Sequence, residues 1–123
     1  MNLNQVTVPS INISDSIRFY EKLGLKLIVK DEHYARFECP EGDATFSIHA
    51  NDEKSVSNTV IYFEVANLKE KVKELESRNI RFQKQPGTEA WLWEEARLLD
   101  PSNNIICLFH AGENRKYPPW RLK

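Results

Sequence analysis

Gln5-Val6-Thr7-Val8 and Val60-Ile61-Tyr62-Phe63 read as one short strand written twice, and that pair decides the fold. The shift that lays one on the other carries Asn12-Ile13 onto Asn67-Leu68, where each copy turns into a helix. It then carries Gly24-Leu25-Lys26-Leu27 onto Asn79-Ile80-Arg81-Phe82, where each helix ends and a strand begins. A repeat of this length is a supersecondary unit that cannot bury its apolar face alone, so two copies are expected to share one fold.

Working outward through the first copy, Leu3 to Val8 reads as the opening strand. Ser14 is expected to cap the helix, with Asp15 at its positive end and Ile17, Tyr20 and Leu23 along one apolar face. Gly24 ends that helix because the next residue needs a positive φ, and Asn79 is the most tolerant substitute. Strand patterns follow at Lys26 to Lys30, His33 to Glu38 and Thr45 to Ala50, with Pro40-Glu41-Gly42-Asp43 as a turn.

In the second copy, Asn58 to Val65 opens and Asn67-x-x-Glu70 has capping-box spacing. Leu68, Val72 and Leu75 form the buried stripe, while Glu74 and Arg78 can pair on the wet side. Phe82, Ala90 to Leu99 and Ile105 to His110 supply the remaining strands, and Asp100-Pro101-Ser102-Asn103-Asn104 the last turn. The fold class is α+β, with tandem β-α-β-β-β modules over about 1–51 and 57–110 and an irregular tail over 111–123. Such modules side by side would form a curved mixed eight-stranded sheet around a cleft, with the helices on the outer face.

Composition narrows the function. Lys and Arg number 17 against 18 for Asp and Glu, so no global basic field exists to hold a nucleic acid. The apolar runs are strand-sized, which argues against a membrane span, and the N-terminus lacks signal-peptide character. The cytoplasm is therefore expected, with Cys39 and Cys107 as reduced, buried thiols.

Three motifs in order carry a family resemblance: Val6-x-Val8, then Ser16-Ile17-Arg18-Phe19-Tyr20-x-x-Leu23-Gly24, then Asp100-Pro101-x-x-Asn104-x-Ile106-x-Leu108. From Leu3 to about His110 the chain resembles the vicinal oxygen chelate superfamily of glyoxalase I, bleomycin-resistance proteins and extradiol dioxygenases. Asn103 stands where that family usually has glycine. The resemblance implies one domain over 1–123, a homodimer, and a metal held from the first and last strands of each module. Those ligand positions fall on Gln5, Val60, Cys107 and either Ser47 or Phe46. Val60 has no donor and neither Ser47 nor Phe46 replaces a carboxylate, so the inherited metal site reads as broken. No resident cofactor is expected, with a divalent metal as the alternative.

Strand alternation assigns a cleft face to Trp91, Trp93, Glu95 and Arg97, to Arg36 and Glu38, to Thr45, Ser47 and His49, and to Gln5, Thr7 and Tyr62. On the functional reading, the tryptophans stack an aromatic ligand and Arg36 or Arg97 takes an anionic group. His49, Glu95 and Glu38 would then move protons. On the bland reading, Arg and Glu pair across strands and the tryptophans cover apolar surface. His33 and the Asp52-Glu53-Lys54 run read as solvated, and His110 takes the wrong parity for the cleft. The tail, with Tyr117, Pro118, Pro119 and Trp120, is expected to close over the cleft or latch onto a second subunit. A small-molecule binder or metal-independent enzyme ranks first. A divalent-metal lyase, isomerase or dioxygenase with a rearranged site ranks second, and a protein-interaction module third.

Overall fold

The computed structural model describes residues 1–52 and 58–123, so most of the Asp52-Glu53-Lys54 run lies outside the described residues. The first module is β1 (Gln5–Ser10), α1 (Ile13–Leu23), β2 (Lys26–Lys30), β3 (Tyr34–Glu38) and β4 (Thr45–Ala50). The second is β5 (Val60–Glu64), α2 (Leu68–Ser77), β6 (Lys84–Thr88), β7 (Glu94–Leu99) and β8 (Ile105–His110). Both form a four-stranded mixed sheet with the same topology, β1-β4-β3-β2 and β5-β8-β7-β6, in which the first strand runs parallel to the last. The β-α-β-β-β repeat read from the sequence is the architecture. Among the described residues no helix is long and apolar enough to cross a membrane.

The first compact unit takes the turn Asp100–Asn104 along with β1 to β4. Helix α1 lays Ile17, Tyr20 and Leu23 onto its sheet, and the Tyr20 ring lies 4.6 Å from Phe46 and 5.7 Å from Phe37. The Tyr20 hydroxyl is too deep to reach water, so it needs a partner. It donates to Asp100 Oδ2 at 2.6 Å. Asp100 Oδ1 accepts the backbone N–H of Ser102 and of Asn104, each at 2.8 Å. The Asn104 amide donates to Asp100 Oδ2 at 2.7 Å and to the Pro9 carbonyl at 2.8 Å. Asn103 makes the turn possible at φ 67°, the left-handed conformation its side chain tolerates.

The second unit repeats the plan with Leu68, Val72 and Leu75 of α2 buried against Ala96, Leu98, Ile106 and Leu108. Both helices end alike. Gly24 at φ 113° lets Leu25 N–H reach the Tyr20 carbonyl, and Asn79 at φ 65° lets Ile80 N–H reach that of Leu75. On the wet side, Glu74 accepts from Arg78 at 2.5 Å.

Several local expectations need correction. The α1 cap is Asn12, not Ser14: Asn12 Oδ1 accepts the Asp15 N–H at 3.0 Å, as Asn67 Oδ1 accepts that of Glu70 at 3.2 Å. Strand β1 begins at Gln5 rather than Leu3. Phe82 precedes its strand: β6 is Lys84–Thr88, an edge strand that accommodates Pro86 and Gly87 with a register shift between Lys84 and Gly87. Residues 90–92 form a turn with Leu92 at φ 70°, so β7 starts only at Glu94. The tail is not wholly irregular, since Gly112–Arg115 forms a short 3-10 turn.

Candidate functional site

In the first unit, strand pairing sets the helix-free face in rows. Gln5, Thr45, Glu38 and Lys26 form one row, Thr7, Ser47 and Arg36 the next, and His49 and Tyr34 the last. Alternation thus assigned Gln5, Thr7, Arg36, Glu38, Thr45, Ser47 and His49 to the same side of this sheet. Tyr34, which that reading passed over, stands on the same side. The Tyr34 hydroxyl lies 2.6 Å from Ser47 Oγ and accepts from Arg36 Nε at 2.9 Å. Thr45 Oγ1 donates to Gln5 Oε1 at 2.7 Å.

Desolvation raises the Tyr34 pKa, but hydrogen bonds from Ser47, Arg36 and Gln5, with the Arg36 charge, outweigh it and bring the phenol below its ordinary range. A near-ultraviolet titration should therefore show a first phase, from Tyr34, below the ordinary tyrosine range. Arg36→Ala should return that first phase upward, and a phase unmoved by the substitution would refute the assignment. His49 and Glu38 are exposed. They stand four residues apart along the strand direction, about 13 Å, too far to share a proton directly.

In the second unit the helix-free face carries Tyr62 from β5, Glu95 and Arg97 from β7, and Cys107 and Phe109 from β8, with Tyr62 and Arg97 both opposite Cys107. Trp93 stacks on Phe109 at 4.7 Å and 19°. Tyr62 meets Trp93 edge-on at 5.9 Å. Trp91 arrives differently from the strand alternation assumed: it lies in the turn before β7, and its indole N–H donates to Glu95 Oε2 at 2.6 Å. Glu95 is only 2% exposed, and its Oε1 faces the Arg97 guanidinium at 3.4 Å and Cys107 Sγ at 3.6 Å.

The tail folds onto this unit. Glu64 Oε2 accepts the backbone N–H of Ala111 at 2.7 Å and of Gly112 at 2.9 Å, and Arg115 Nε lies 3.8 Å from Glu64 Oε1. The Trp93 indole N–H donates to the Asn114 carbonyl at 3.3 Å. Sheet and tail line an open pocket of about 330 Å³ formed by Tyr62, Trp91, Trp93, Glu95, Asn114, Arg115, Pro118 and Trp120. Glu64 escaped the sequence reading, and Trp120 enters it only as part of a tail expected to close over the cleft or latch onto a second subunit. Their roles rest on contacts between distant positions, which alternation does not report.

Cys107 is fully buried, and desolvation, then the neighbouring Glu95 charge, pushes its thiol up to about 12 from an ordinary 9.0. It therefore stays a thiol at neutral pH, and a thiol-specific reagent should label it only on unfolding. Because the unfolded thiol ionises first, stability should fall as pH rises from about 9 toward about 12. Tyr20 adds to the same alkaline loss, its phenol pushed far up by burial and by the Asp100 charge. A urea midpoint independent of pH over that range would contradict both.

The inherited ligand positions offer a divalent cation few donors. Val60 offers no donor atom, Cys107 is fully buried, and Ser47 Oγ is engaged with Tyr34. Among the described residues no three His, Cys, Asp or Glu side chains gather to hold a metal ion.

The fold has many counterparts. A glyoxalase/bleomycin resistance protein/dioxygenase from Nocardioides superposes with a TM-score of 0.81 at 18% identity, over 100% of this chain and 90% of that one. Lactoylglutathione lyase from Agrobacterium tumefaciens gives 0.75 at 14% identity, over 89% and 92%. A bleomycin-binding protein complexed with bleomycin gives 0.72 at 19% identity, over 89% and 98%. No curated protein matches the sequence. The family model described as Glyoxalase/Bleomycin resistance protein/Dioxygenase superfamily matches residues 2–108. That match runs through both modules and all three motifs that carry the resemblance, and the chain belongs to this superfamily.

Proposed function

We propose that this chain binds a small organic molecule in the aromatic pocket of its second unit, without the metal common in its superfamily. The observation that carries this reading is the pocket itself: Tyr62, Trp91, Trp93 and Trp120 surround a space of about 330 Å³, near the lower end of small-molecule sites. Aromatic walls supply contact area with little loss of side-chain freedom, while Glu95 and Arg115 add the few polar groups that orient a ligand. The superfamily includes a protein named for binding bleomycin, which sets a precedent for binding on this fold. The donor chemistry at the inherited ligand positions supports the metal-free part of the reading.

All three tryptophans of the chain line this pocket, so intrinsic fluorescence reports on it directly. Titration with a panel of small planar aromatic compounds should quench or shift that emission and raise the melting temperature. Elemental mass spectrometry on the same untagged protein should find no stoichiometric Ni, Zn, Mn or Fe. One tightly held equivalent would overturn the metal-free reading, and a panel with no response would overturn the binding site.

A second reading, a metal-independent enzyme, is favoured by Tyr34, whose phenol is held by Arg36 and Ser47 on the first unit's open face. Either reading keeps the expectation of a cytoplasmic homodimer, which light scattering of the purified chain tests for assembly.

A further inference from the structure

We infer that the pocket of the second unit selects an organic cation, a small ammonium or pyridinium group carried on an apolar or aromatic body. The inference rests on the binding reading above and gives it a ligand class. Four of the eight lining residues, Tyr62, Trp91, Trp93 and Trp120, present aromatic rings. The face of such a ring carries negative charge density, and several rings around one space attract a cation more strongly than any one of them.

The remaining charges point the same way. Glu95 puts a carboxylate into the pocket wall while being only 2% exposed, so little water screens it. Its Oε2 is held at 2.6 Å by the Trp91 indole N–H, which fixes the carboxylate beside a ring that also lines the space. Arg97 compensates the Oε1 side at 3.4 Å and does not itself line the pocket. The one cationic side chain in the lining, Arg115, has its guanidinium turned toward Glu64 at 3.8 Å and is half exposed. An anionic ligand would have to displace that pairing and face Glu95 across the same space. A cation meets the rings, with the buried Glu95 carboxylate behind them.

The test is a fluorescence titration of the full chain with benzyltrimethylammonium, uncharged benzyl alcohol and anionic benzenesulfonate. The cation should bind at least about 10-fold more tightly than the alcohol, and benzenesulfonate more weakly still. Glu95→Gln keeps an acceptor for the Trp91 N–H and removes the charge, so it should narrow the cation-to-alcohol ratio to within about threefold. Equal or tighter binding of the alcohol or the sulfonate would overturn the cation preference and leave the pocket as a binding site. A ratio that survives Glu95→Gln would overturn the carboxylate's part. Silence toward all three probes would overturn the inference, while the wider aromatic panel decides the binding reading separately.

Discussion

Asp100→Ala is expected to destabilise the protein by about 4 kcal/mol, enough to remove much of the stability of a domain this size. The carboxylate is buried and accepts four hydrogen bonds, from the Tyr20 hydroxyl, the Ser102 and Asn104 backbone amides and the Asn104 side chain. Alanine leaves all four donors without that acceptor, in a place water reaches poorly. Tyr20→Phe removes one donor and leaves three, so it should cost only about 1–2 kcal/mol. Urea denaturation of the two variants and of the double variant measures the coupling directly. A loss under about 2 kcal/mol for Asp100→Ala would show that the turn rebuilds its hydrogen bonds without the carboxylate.

Trp93→Ala is expected to reduce ligand affinity at least about 100-fold, the larger of the binding effects. Trp93 stacks on Phe109, meets Tyr62 edge-on and holds the tail through the Asn114 carbonyl. Its removal takes away one wall and loosens another. The same change leaves a gap in the cluster of Cys107, Phe109 and Ala111, so a stability cost of about 2–3 kcal/mol should accompany it. Trp93→Phe separates the two effects, because it keeps a ring on Phe109 and loses only the N–H to the tail. Unchanged affinity in a folded Trp93→Ala protein, measured by isothermal titration, would remove the pocket from consideration.

What could be read without coordinates was governed by local backbone rules. Asn79 is a left-handed position by its place in the repeat, Asn103 stands where the resembled family has glycine, and both have positive φ. The parity of Glu95 and Arg97 follows from strand alternation and agrees with the pairing of β7 and β8. The α1 cap was misread although the repeat already aligned Asn12 with Asn67. Ser14 looked attractive as a residue type, but the spacing to Asp15 decides. The strand read at Phe82 lies instead at Lys84–Thr88, where Pro86 and Gly87 obscure a strand pattern that an edge position tolerates. Trp91 came to the pocket through a turn, and a period of two cannot describe a turn. Tyr34 and the tail depend on contacts such as Tyr34 with Ser47 and Trp93 with Asn114, which only the folded chain brings together.

Glu64 grips the start of the tail through the main-chain amides of Ala111 and Gly112 and meets the Arg115 guanidinium a turn further on. The pocket therefore has one wall fastened by backbone and written in the final residues, apart from the sheet that carries the fold. Relatives could exchange that short stretch and change their ligands without disturbing a single strand. Selectivity on this scaffold would then diverge fastest at its C-terminus, like a lock recut by replacing one plate.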